Sequence, residues 1–112
     1  MIDIKILQPE IVERLKELEP NKIILFGSYA YGTPNDESDI DLFLLKDKLA
    51  LEDAINYQRE ARLKILDLMS KYKIGFDILS APTDYIKKQN DYFHKIDILQ
   101  NGKVLYEQTN SN

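Results

Sequence analysis

Two aspartates stand two residues apart in Ser38-Asp39-Ile40-Asp41-Leu42. In a strand, side chains alternate faces, so both carboxylates point to one side with Cα atoms about 7 Å apart. Ile40 and Leu42 then point the other way, into a core. Two carboxylates on one face repel unless a cation sits between them. A hard divalent ion such as Mg²⁺ suits their oxygens and takes phosphates as further ligands. Aspartate is disfavoured inside strands, so a pair flanking a core residue needs a reason. Taken alone, the pair also reads as two solvent-facing residues on a half-exposed strand.

Two further features point the same way. The apolar run Lys22-Ile23-Ile24-Leu25-Phe26 stops at Gly27-Ser28 and is followed by Tyr29-Ala30-Tyr31-Gly32. This fits a strand entering a single helical turn, whose first N–H groups face an anion and whose glycine lets a phosphate approach the backbone. The Ser28 hydroxyl adds one hydrogen bond, although a lone Gly-Ser is also an ordinary strand stop. Asp77, in Gly75-Phe76-Asp77-Ile78, is another acidic residue inside an apolar strand. If that strand lies beside the Asp39–Asp41 strand, three carboxylates meet on one face, the layout of a two-metal phosphoryl-transfer site.

The elements that must position these residues read as follows. Pro9 to Glu19 is a helix, with Ile11, Val12, Leu15 and Leu18 as its apolar stripe and Pro9 in its first turn. Strands cover Lys22–Phe26, Asp39–Leu45, Lys73–Ser80 and Lys103–Glu107. Gly32 to Ser38 is a loop. A long helix covers Leu51 to Lys71, with Ala54, Ile55, Ala61, Ile65, Leu68 and Met69 on one face. Thr83 to Gln100 holds one or two helices with Tyr92, Phe93, Ile96 and Leu99 as the apolar set, and Gly102 is the helix stop. The fold class expected is α/β (α+β): a small mixed β-sheet with helices packed on it.

Composition limits the partners. The 112 residues make one domain, 44% hydrophobic and 30% charged, with a frayed tail expected over 108–112. Such a domain buries roughly 65% of its unfolded surface, enough for one core. There are no cysteines and a single histidine, His94, which excludes disulfides and argues against structural zinc. Nineteen acidic against fifteen basic side chains give a net charge of −4, unfavourable for direct nucleic-acid binding. No signal peptide or membrane span is read, so a cytoplasmic location is expected. His94 beside Tyr92 and Phe93 reads as a half-buried or surface histidine. Exposed aromatics such as Tyr85, Tyr92 and Phe93 hint at an interface, in a homodimer or a hetero-oligomer.

Gly27-Ser28, ten residues, then Asp39-Ile40-Asp41 resembles the signature of the nucleotidyltransferase (polymerase-β-like) superfamily, and the short length resembles its minimal members. The closing Gly102-Lys103-Val104-Leu105-Tyr106-Glu107 is similar to the end of such domains. The resemblance implies a mixed sheet with helices on one side. It implies two Mg²⁺ ions on Asp39 and Asp41, with Asp77 as a further ligand or as base for the attacking hydroxyl. Gly27 and Ser28 would hold the β- and γ-phosphates of a nucleoside triphosphate such as ATP, and Ser38 joins them among the nucleotide-binding residues. Many relatives carry an arginine in the turn after Gly-Ser; Tyr29 and Tyr31 stand there, leaving Lys22, Lys46 or Lys48 as possible substitutes. Minimal members are often antitoxins of a HEPN toxin, in some pairs attaching AMP to a toxin tyrosine. Two alternatives follow: neutralisation of a toxin by occlusion alone, and transfer to a small molecule such as an antibiotic.

Overall fold

The structure, a computed structural model, describes residues 2–108, so all but the first residue of the tail expected over 108–112 lies outside it. The first helix, α1 (Ile4–Leu15), begins earlier than Pro9 because the Asp3 carboxylate caps it, accepting from the Lys5 N–H at 2.9 Å. Pro9 therefore lies inside the helix and not in its first turn. Leu7, Ile11 and Leu15, four apart, form the buried stripe. A 3₁₀ turn, Lys16–Leu18, leads to strand β1 (Lys22–Phe26). One helical turn, α2 (Ser28–Tyr31), and a loop then lead to β2 (Ile40–Leu45).

The long helix expected over Leu51–Lys71 is broken. A 3₁₀ turn (Leu51–Asp53) precedes α3 (Ala54–Lys64), and α4 (Leu66–Tyr72) follows a break at Ile65, whose φ of −108° and ψ of 6° leave the helical region. Ala54, Tyr57 and Ala61 are the buried residues of α3. Ile55, 100° further round, faces solvent and not the core. Lys73 closes α4 in the left-handed conformation, so the third strand, β3 (Phe76–Ala81), starts later than Lys73.

Thr83–Gln100 is two helices, α5 (Thr83–Lys88) and α6 (Phe93–Gln100), the latter wound as a π-helix. The wider π turn changes which residues face inward. Phe93 and Ile98, five apart, pack into the core, while Tyr92 and Leu99 of the expected set are exposed. Strand β4 (Lys103–Glu107) ends the fold. Gly102 stands before it for a reason other than a left-handed stop: a Cβ there would land on the Ile98 carbonyl and the Ile24 side chain.

The sheet order is β3-β2-β1-β4. β1 runs antiparallel to β2 and β4, with a register shift in the β4 pairing, whereas β2 and β3 are parallel. This is the mixed sheet expected. Helices cover both of its faces, however, not one. On one face Ile23, Leu25, Ile40, Leu42, Leu44 and Phe76 pack against α1, α3 and α4. On the other, Ile24, Phe26, Phe43, Leu45 and Ala81 pack against Ile86 of α5 and Ile98 of α6. The alternate positions of β1 and β2 are apolar on both sides, and only a sheet covered twice removes both sets from water.

Candidate active site

Strand register assembles the site. Phe26 pairs with Asp41, and Asp41 pairs with Asp77, so the three form one row across β1, β2 and β3. Period-two alternation puts the carboxylates of Asp41 and Asp77 on the face that also carries Phe43. In the next row, Ile24 and Phe43 root this end of the sheet in the core, while Leu79 on the edge strand is exposed.

Each expected residue has a definite place. Gly27 joins β1 to α2 with φ 74° and ψ −160°, a conformation side chains oppose. A Cβ there would also fall on the Asp41 carboxylate, so the turn lies directly against it. The N–H groups of Ala30 and Tyr31 bond to the Gly27 carbonyl at 3.0 and 3.2 Å, which leaves those of Ser28 and Tyr29 ahead of the first bonded position. Asp39 is exposed just before β2 and leans the other way: a Cβ at Gly75 would fall on its carboxylate. Asp41 therefore lies against the end of β1 and Asp39 beside the approach to β3. Ser38 is engaged locally, its hydroxyl accepting from the Asn35 N–H at 2.9 Å within the loop.

Electrostatics tie the carboxylates together. Burial, then the charge of Asp77, then that of Asp39 push the Asp41 carboxyl up to about 6. One negative charge too many is held at this end of the sheet, and the donors are all hard oxygens. Such a set fits a divalent cation, which would restore Asp41 to its ionised form. Among the described residues, no three acidic or histidine side chains are gathered closely enough to hold a metal ion, and Asp39 and Asp41 lean toward different neighbours. Burial, then Asp36 and Asp39, raise the Tyr29 phenol.

A cleft of about 420 Å³ opens beside Asp39, between the 35–39 loop and residues 72–75. Gly27, Asp41 and Asp77 do not line it, so this cleft flanks the row of aspartates instead of covering it. Its one cation is Lys73, which composition did not single out; its place directly after a helix and before a strand was the available signal. Lys22, Lys46 and Lys48 lie elsewhere. Lys22 pairs in register with Leu45, four residues or about 13 Å along the strands from the Phe26–Asp41 pair. Lys46 donates to the Leu18 and Glu19 carbonyls at that same far end. Neither Lys22 nor Lys46 replaces a cation after Gly27-Ser28. His94 is half-buried, its Nδ1 2.8 Å from Asp91 Oδ1 and its ring edge-on to Phe93. Tyr31, on α2, donates to Asp97 of α6 at 2.9 Å.

Comparison with known proteins places this geometry. The chain is 34% identical over 106 residues to "Putative protein adenylyltransferase MJ0141" of Methanocaldococcus jannaschii, covering 85% of this chain and 97% of that protein. It is 37% identical to "Putative protein adenylyltransferase MJ0604" of the same organism, covering 76% and 77%. Among solved structures, a toxin–antitoxin crystal structure with AMP-PNP superposes with a TM-score of 0.58 at 23% identity, over 90% of this chain and 73% of that one, which shows a shared fold. Residues 9–111 match the family described as "Polymerase beta, Nucleotidyltransferase", and with the strand-borne aspartates beside a Gly-Ser turn they show that this chain belongs to that nucleotidyltransferase family.

Proposed function

We propose that this chain transfers an adenylyl group from ATP to a hydroxyl of a partner protein and works as the antitoxin of a HEPN toxin, with a toxin tyrosine as acceptor. The observation that carries the reading is the row Phe26–Asp41–Asp77 with Gly27 packed against the Asp41 carboxylate. The names of the Methanocaldococcus relatives support protein as acceptor, and the AMP-PNP bound in the toxin–antitoxin structure supports an adenine nucleotide and a toxin partner.

In this reading the Gly27–Ser28 turn holds the β- and γ-phosphates through its leading N–H groups and the Ser28 hydroxyl. Asp39 and Asp41, with Asp77 as a further ligand or as the base, would hold two Mg²⁺ ions, whose positive charge would stabilise the charge developing in phosphoryl transfer. In the role of base, Asp77, exposed at the sheet edge, takes the proton of the acceptor hydroxyl as its oxygen attacks the α-phosphorus. The bond from that phosphorus to the β-phosphate bridge oxygen breaks, and pyrophosphate leaves. Ser38 orders the loop that enters β2 through its bond with Asn35, and so positions Asp39. Among the described residues, no helix is long and apolar enough to cross a membrane.

The test is transfer in host lysate with Mg²⁺ and ATP labelled on the α-phosphate, with γ-labelled ATP and Asp41→Asn protein as controls. A protein band labelled only from the α-phosphate, and only by the native chain, supports the reading. Equal labelling by Asp41→Asn protein refutes this site. A second reading, neutralisation by occlusion, is favoured by the position of Lys22 and Lys46 far from the turn. It requires the Asp39→Asn, Asp41→Asn double variant to neutralise the toxin as well as native protein does.

A further inference from the structure

The free edge of β3 carries a feature that adenylyl transfer by the aspartates leaves unused. The Ile40 N–H bonds to the Gly75 carbonyl, and the Lys46 N–H to that of Ala81. This alternation gives the β2 side of the ladder to Asp77, Leu79 and Ala81, and turns the backbone groups of Phe76 and Ile78 outward. Arg62 already donates to the Phe76 carbonyl, at 3.0 Å. Beside this edge runs a stripe of α3 at helical spacing: Ile55, Arg59 and Arg62. With Gln58 and Ile78 they line a groove of about 240 Å³. Ile55 is 62% exposed.

The charge in this groove is out of keeping with the rest of the chain. The protein carries −4 overall and has three arginines. Arg14 is bound to Asp67, but among the described residues neither Arg59 nor Arg62 is paired with a carboxylate. Two guanidinium groups without a carboxylate partner among the described residues therefore flank this strand edge, Arg62 through its bond to the Phe76 carbonyl, one residue along from Asp77.

We propose that this edge receives an extended acidic segment of the acceptor protein, which adds to the sheet beside β3. The inference rests on the reading of the site as a transferase acting on protein. Its force lies in the register. A residue of the added strand opposite Asp77 projects on the face that carries Asp41 and Asp77, about 5 Å away. Its two neighbours in sequence project on the opposite face, toward Ile55, Arg59 and Arg62. The segment that fits is thus a hydroxyl residue flanked by acidic ones: the arginines take the flanking carboxylates and the strand edge takes the backbone. Single-stranded RNA offers the same negative charge, but it lacks the strand backbone that pairs with Ile78.

The test is a fluorescently labelled peptide of alternating Glu and Tyr, titrated by anisotropy against native protein without nucleotide. A Lys-Tyr peptide and an RNA oligonucleotide of equal charge serve as comparisons. The Glu-Tyr peptide is expected to bind best, and Arg59→Glu to weaken it about tenfold while the Lys-Tyr peptide gains. Arg59 makes one recorded side-chain bond, to Asn56 on the same helix, so this variant keeps the fold. Ile78→Pro, which removes the outward N–H without touching the β2 ladder, is expected to weaken the peptide similarly. No binding, equal binding by Arg59→Glu, or stronger binding of the RNA or the Lys-Tyr peptide overturns the proposal. Adding Mg²⁺ and α-labelled ATP separates the two readings. Peptide bound in this way but never labelled refutes protein adenylylation and leaves the docking edge standing. Label transferred equally by native and Arg59→Glu protein refutes the edge and leaves the transferase.

Discussion

Asp41 and Asp77 stand directly opposite each other across the parallel β2–β3 pair, and the negative charge of Asp77 is, after burial, the main reason the Asp41 carboxyl is held up at about 6. The two side chains come from strands separated by thirty-odd residues, and the charge of Asp77 opposes ionisation of Asp41. An arrangement that costs stability in this way is characteristic of functional carboxylates.

Replacing Asp77 by Asn removes that charge. The Asp41 carboxyl is expected to move down toward the ordinary carboxylate range, readable by carbon-detected NMR titration. Adenylyl transfer is expected to fall by about 10²–10⁴, the loss usual for a general base. An unchanged transfer rate in this variant would remove Asp77 from the mechanism.

Stability should depend on pH through Asp41. Its value in the folded chain lies above the unfolded 3.8. From about pH 4 to pH 6 the folded chain therefore keeps a proton that the unfolded chain has lost. Asp41's contribution to folding stability is highest below this window, falls as pH rises through it by roughly 2 kcal/mol after solvent screening, and is level above it. Denaturant midpoints measured across this range should show the slope in native protein and lose it in Asp41→Asn protein. A divalent cation should flatten the slope, since metal displaces the proton.

Gly27→Ala tests the turn. The new methyl meets both a φ of 74° and the Asp41 carboxylate. A loss of about 1–3 kcal/mol is expected, with ATP affinity lowered beyond what unfolding explains. Calorimetry of nucleotide binding on the folded fraction checks this.

Gly75→Ala and Gly102→Ala should part company. At Gly75 the obstacle is the Asp39 carboxylate, an exposed side chain that can swing aside, so stability should change by less than about 1 kcal/mol while transfer drops with Asp39 displaced. At Gly102 the obstacle includes the Ile98 carbonyl, which cannot move alone, so a stability loss of about 1–3 kcal/mol is expected. Thermal melting alongside α-label transfer distinguishes the two.

Spacing along the chain determined much of this protein. Strand alternation put Ile40 and Leu42 in the core. Gly27-Ser28 marked the end of β1, and Asp39, Asp41 and Asp77 stood out because aspartate is costly in apolar strands. These are local effects, carried by a few consecutive residues. Other features depend on what packs from a distance. No local rule pairs β2 with β3 in parallel or sets Asp41 opposite Asp77; loop closure and burial of both sheet faces decide that. The second layer of helices arose because Phe26, Phe43 and Leu45 needed cover. The π turn of α6 exchanged Leu99 for Ile98 at the core, a shift that a period of 3.6 could not foresee. The break at Ile65 and the exposure of Ile55 have the same origin, since α3 turns the face that fits β3 and not its most apolar one. Local chemistry chose the reacting groups, and long-range packing chose their neighbours: Gly27 for Asp41, Gly75 for Asp39, and a free strand edge for Asp77.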